Sequence, residues 1–79
     1  MVTARVRVST VLRNDYASVT ALKKIEGVEA AYLDYDYGNI LVKLEGKDVK
    51  TLDNILFDKI RRLKNIRSTS PLMLDQTVQ

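Results

Sequence analysis

The chain has 79 residues and a mass of 9.0 kDa, room for one small domain over residues 1–79 that buries only about 60% of the surface its unfolded chain exposes. It contains no cysteine and no histidine, which excludes disulfide staples, thiolate nucleophiles, cysteine or histidine zinc sites and imidazole acid–base chemistry. Thirteen basic residues against ten acidic give a net charge of +3, a mild excess where nucleic-acid binders concentrate theirs in one stripe.

Val2 to Val11 alternates with a period of two. Ala4, Val6 and Val8 fall on one face of a strand, and Thr3, Arg5, Arg7 and Ser9 on the other. Asn14 or Asp15 then caps a helix running to about Ile25, with Tyr16, Val19, Leu22 and Ile25 as its apolar positions. Gly27 fits the left-handed residue that ends a helix. Val28 to Tyr35 is rich in strand formers, and Asp36-Tyr37-Gly38-Asn39 breaks it. Ile40, Val42 and Leu44 resume the alternation, with Leu41, Lys43 and Glu45 opposite, so the two runs form an antiparallel hairpin.

Asp48 caps the second helix, whose stripe is Val49, Leu52, Leu56, Ile60 and Leu63, with Ile55 and Phe57 on the flanks. Arg61, Arg62 and Lys64 gather at its C-terminal end, which the helix dipole favours. Arg67 to Asp75 reads as a last strand. Its Pro71 cannot donate to a ladder, so that strand belongs at a sheet edge. The chain is expected to be ordered over about residues 2–75 and to fray after Asp75.

The order β-α-β-β-α-β, with right-handed crossovers, gives an α+β, ferredoxin-like fold. It is expected as a four-stranded antiparallel sheet, the first and third strands central, with both helices on one face. The other face is open and carries Arg5, Arg7, Leu41 and Lys43, expected to form a dimer interface in which Arg5 or Arg7 pairs with Glu45. Self-association is one of the few ways left for a scaffold of this size to bury more surface. The RNA-recognition motif shares the topology but stacks bases on aromatics of its central strands, and here those strands carry none. Asp34 and Asp36 have a spacing compatible with paired-carboxylate chemistry. No nucleophile or base accompanies them, and catalysis is not expected. No cofactor or metal is expected either. No apolar stretch approaches the length of a membrane span and no signal segment opens the chain, so a cytoplasmic setting is expected.

Two passages carry a family resemblance. Leu22-Lys23-Lys24-Ile25-Glu26-Gly27-Val28-Glu29-Ala30-Ala31-Tyr32 resembles the helix–glycine–valine–strand passage of the effector-binding domain of the leucine-responsive/asparagine regulators (Lrp/AsnC), the "regulation of amino-acid metabolism" (RAM) domain. Ile60-Arg61-Arg62-Leu63-Lys64-Asn65-Ile66-Arg67-Ser68-Thr69, followed by Leu72-Met73-Leu74, is similar to that family's final helix and last strand. The resemblance covers nearly the whole chain.

It implies a non-catalytic module that pairs sheet against sheet into dimers, assembles dimers into rings and binds amino-acid effectors in the clefts between them. Because the chain starts at the first strand, it implies the stand-alone version without the helix-turn-helix DNA reader. The partners it implies are further copies of the chain and full-length Lrp/AsnC regulators. The family's cleft draws on a Gly-any-Tyr-Asp loop after the second strand and on a serine/threonine pair in the last strand. Those positions fall here on Asp36, Tyr37, Gly38 and Asn39, and on Ser68 and Thr69. Asn39 keeps hydrogen-bonding capacity but lacks the charge that meets an α-amino group, and Asp36 is a substitute carboxylate three residues earlier.

Other readings stand beside this one. Asp36, Gly38 and Asn39 are turn formers, Tyr32, Tyr35 and Tyr37 are sheet-packing or interface residues, and Asp53 lies on the rim of a helical stripe, where a salt bridge or subunit contact would explain it. A ligand-free assembly partner of full-length regulators and a nucleic-acid-binding module are the two alternatives to a sensor.

Overall fold

Strand β1 (Val2–Thr10) organises the domain, because its alternation leaves only one way to seat it. Ala4, Val6 and Val8 are fully buried while Arg5 is exposed and Thr3, Arg7 and Ser9 are half-buried on the opposite face. The computed structural model describes residues 1–75. The expected fraying after Asp75 falls on residues 76–79, outside the described residues.

Helix α1 (Tyr16–Lys23) starts at Asp15, whose carboxylate accepts from the Ser18 backbone N–H at 3.0 Å and the Ser18 hydroxyl at 2.8 Å. Asn14, the other candidate cap, instead takes the left-handed turn that leads in (φ 55°), a conformation asparagine tolerates better than most residues. The helix ends two residues before Ile25. The N–H groups of Lys24 and Ile25 turn to the carbonyls of Ala21 and Leu22, the tighter spacing common at a helix end. Val19 and Leu22 are buried as expected, but Tyr16 is 61% exposed, its hydroxyl 3.2 Å from that of Tyr35.

Strands β2 (Val28–Asp34) and β3 (Asn39–Gly46) form the expected hairpin. Their register pairs Ala31 with Val42 and Leu33 with Ile40 on the helix side, and Tyr32 with Leu41 and Ala30 with Lys43 on the open side. Helix α2 (Val49–Asn54) is capped by Asp48 and continues as a π-helical segment over Ile55–Ile60, in which the Arg61 N–H reaches back five residues to the Leu56 carbonyl at 3.0 Å. The wider turn corrects the expected stripe. It brings residues five apart into line, so Ile55 joins Leu52, Leu56 and Ile60 in the core, while Val49 and Phe57 are exposed. Ile55 packs so close to Gly27 (φ +95°) that a side chain there would overlap its Cδ1.

The expected last strand is two strands, β4 (Ile66–Thr69) and β5 (Met73–Leu74), both antiparallel to β1. Thr69 lies opposite Val8 and Met73 opposite Arg5, so residues 70–72 span what β1 covers with residues 6–7, and the surplus residue bulges out at Pro71. Ser70 bridges the gap. Its N–H donates to the Arg7 carbonyl and its Oγ accepts from the Arg7 N–H, both at 2.9 Å. The order across the sheet is β2-β3-β1-β4, with β5 also on β1, and the helices cover one face. This is the expected ferredoxin-like α+β architecture, with the outer strand divided. Among the described residues no helix is long and apolar enough to cross a membrane.

Asp15→Ala should lower stability by about 1 kcal/mol, a fall in melting midpoint of roughly 4–8 °C, and Asp15→Asn should recover most of it. Hydrogen bonds hold two cap carboxyls below the ordinary value of 3.8, Asp15 through the Ser18 N–H and hydroxyl and Asp48 through the Thr51 hydroxyl and N–H. A depressed folded value contributes stability above the unfolded one, so urea midpoints should be flat from about pH 5 to 7 and fall as pH drops below about 4. With no histidine in the chain, a step near pH 6.5 would contradict this.

Candidate functional site

Antiparallel pairing brings three chain segments to one end of the sheet: the end of β1, the β2–β3 turn and the start of β4. Between them lies an open cleft of about 370 Å3, lined by Ser9, Thr10, Val11, Arg13, Tyr37, Gly38, Asn39, Arg67 and Ser68. Four of the six residues expected to contact a ligand line it: Tyr37, Gly38, Asn39 and Ser68. The other two do not. Asp36 is spent on the turn, its N–H donating to the Asp34 carboxylate at 3.2 Å and its carbonyl accepting from Arg13 at 3.1 Å. Thr69, one residue on from Ser68, takes the opposite face of the strand. It borders a separate depression with Asp53, Phe57, Arg61 and Pro71.

The turn is held from outside itself. The Gly38 N–H closes it onto the Asp34 carbonyl at 2.7 Å, and Gly38 sits at φ +72°, where a side chain is strained. Arg13 lies across it. Its guanidinium donates to the Tyr35 and Asp36 carbonyls, and its Cγ occupies the space a side chain on residue 38 would need. Arg13, like Ser9, Thr10, Val11 and Arg67, lines the cleft without being among the ligand contacts the sequence suggested. Nothing in its own neighbourhood marks it, and it reaches the turn only through tertiary packing.

Arg7 tunes the other wall. Its NH1 donates to the Asp34 carboxylate at 2.9 Å and to the Asn39 Oδ1 at 3.0 Å, and its guanidinium stands 5.7 Å from the centre of the Tyr37 ring. Within the chain Arg5 pairs with Asp75 at 3.0 Å and Arg7 with Asp34. Glu45 lies opposite Thr3, at the far end of the sheet from Arg7. The Arg7 hydrogen bond is also what holds the Asp34 carboxyl below the ordinary carboxylate value. With Oδ1 turned to Arg7, Asn39 keeps its Nδ2 hydrogens to donate elsewhere.

The open face carries the residues expected at a dimer interface. Arg5, Arg7, Leu41 and Lys43, with Tyr32 and Met73, surround a depression of about 170 Å3. Tyr32 and Met73 are 55% and 48% exposed. Among the described residues no group of three or more acidic side chains is placed to hold a metal ion.

Two solved structures are closely similar. The crystal structure of FFRP-DM1 superposes with a TM-score of 0.84 at 30% identity, over 96% of this chain and 100% of that one. The crystal structure of hypothetical protein PHS023 from Pyrococcus horikoshii gives a TM-score of 0.84 at 29% identity, over 99% of this chain and 93% of that one. No family model and no curated protein matches the chain.

Removing the Arg7 guanidinium should raise the Asp34 pKa toward its ordinary value, since the leading cause of its depression is gone. Carboxyl NMR titration of Arg7→Met measures this, and an unchanged Asp34 value would show that the turn's own N–H groups hold it down.

Proposed function

We propose that this chain, which belongs to the family of FFRP-DM1, is a non-catalytic module that senses a small molecule of the amino-acid class and assembles into oligomers. FFRP abbreviates feast/famine regulatory protein, which ties the reading to transcriptional regulation of the Lrp/AsnC type and to the RAM domain that the sequence resembles. The observation that carries it is the polar cleft at the hairpin end of the sheet. Tyr37, Gly38, Asn39 and Ser68 meet there at the positions where the resemblance puts effector contacts.

The open sheet face supports the assembly half of the reading. Leu41, Tyr32 and Met73 offer apolar surface among Arg5 and Lys43, and a second copy of the face would cover it. A ligand bound near such a contact acts by population shift, favouring the oligomer to which it binds better. The second reading, a ligand-free partner of full-length regulators, uses the same face and leaves the cleft idle.

Thermal unfolding against the twenty amino acids at millimolar concentration separates the two. A ligand at 100 times its dissociation constant adds about 2.7 kcal/mol, roughly ten degrees or more for a domain of this size. A selective shift supports the sensor, and a flat response across amino acids and their organic-acid relatives supports the ligand-free partner. Light scattering on Leu41→Asp tests assembly. The variant should stay folded and run as a monomer at concentrations where the parent chain is at least a dimer.

A further inference from the structure

The chemistry of the cleft is one-sided. Its lining offers the guanidinium groups of Arg13 and Arg67, the hydroxyls of Ser9, Ser68 and Tyr37, and the amide of Asn39, and it includes no carboxylate. Of the two acids in the adjoining hairpin, Asp34 is engaged by Arg7 and Asp36 lies outside the lining. Asn39 points the same way, because its acceptor oxygen is turned to Arg7 and its Nδ2 hydrogens are left to donate. Arg13 spends NH2 on two loop carbonyls and keeps its other N–H groups. Among the described residues Arg67 forms no ion pair. The segment leading into the cleft adds to the field, since residues 61–67 carry Arg61, Arg62, Lys64 and Arg67 and no acid. Such a cleft pairs carboxylates well and brings no carboxylate of its own to an ammonium group.

We infer that the cleft takes a small organic acid with two carboxylates, engaged by Arg13 and Arg67 and by the Asn39 and serine donors, and that it makes no demand for an α-ammonium group. This rests on the small-molecule reading above and narrows its ligand class. Dicarboxylic amino acids and their 2-oxo acids qualify, and basic and neutral amino acids do not.

Glutamate and 2-oxoglutarate differ at the α-carbon, which makes them the discriminating pair, with lysine, leucine and inorganic phosphate as controls. Calorimetric titration of the full chain should give dissociation constants for the pair within about threefold of each other. Lysine and leucine should bind at least about tenfold more weakly. Both acids should weaken as salt is raised from about 50 to 200 mM, as charge pairing requires. Arg67→Ala changes an exposed side chain and should cost both acids about tenfold, with Arg67→Gln giving the same loss in an independently folded variant. Asn39→Asp should shift preference from 2-oxoglutarate toward glutamate. Binding of glutamate tenfold tighter than 2-oxoglutarate, or of lysine or leucine ahead of both, would overturn the inference and leave the small-molecule reading standing. Equal binding of phosphate would overturn the two-carboxylate class, and full binding by both Arg67 variants would overturn the location. If nothing in the panel binds, the inference falls, and the sensor reading is decided separately by the thermal screen against all twenty amino acids.

Discussion

Strand β1 is paired on both sides and buried on one face, and that combination constrains everything else. Slipping its register by one residue would carry Arg5 and Arg7 into the core and Val6 and Val8 to the open face, an exchange of apolar burial for buried charge. The register therefore admits one solution, and with it the open face acquires its row of Thr3, Arg5, Arg7 and Ser9. The outer strand is shaped by the same constraint. Pro71 has no N–H to offer the ladder, so the chain bulges there. Ser70 meets both backbone groups of Arg7, one through its own N–H and one through its hydroxyl.

Arg7 stands at the centre of this arrangement and links packing to electrostatics. Its backbone is tied to Ser70 on one neighbouring strand, and its side chain reaches Asp34 and Asn39 across the other. One cation thereby neutralises the acid that ends β2 and orients the amide that opens β3. Surface ion pairs contribute little to stability in general. The weight of this one lies in the charge pattern it leaves behind, a cleft edged by Arg13 and Arg67 with donors between them.

Ferredoxin-like domains host many unrelated functions, and the fold alone assigns none. Here the two ends of the sheet differ in kind. The hairpin end is polar and cationic. The opposite end packs Ile55 against Gly27 beneath a π-helical turn. The extended turn lets Ile55 and Ile60 both face the sheet, a packing solution for a helix whose apolar residues are denser than an α-helical stripe can bury.

The sequence by itself determined the element order, the buried face of each strand, the Asp48 cap of the second helix and the edge position of Pro71. These follow from periodicity and local hydrogen bonding, which act over a few residues. The family resemblance, carried by local sequence, also pointed to Tyr37, Gly38, Asn39 and Ser68, which line the cleft together. What it left open needed distances between residues far apart in the chain. The seat of Arg13 over Gly38, the pairing of Arg7 with Asp34, and the exclusion of Asp36 and Thr69 from the cleft are set by register and by which face of a strand a side chain occupies. The divided outer strand and the widened helix belong to the same class. An extra residue in a strand or a turn is tolerated or rejected by the layer packed against it, and only the tertiary structure supplies that layer.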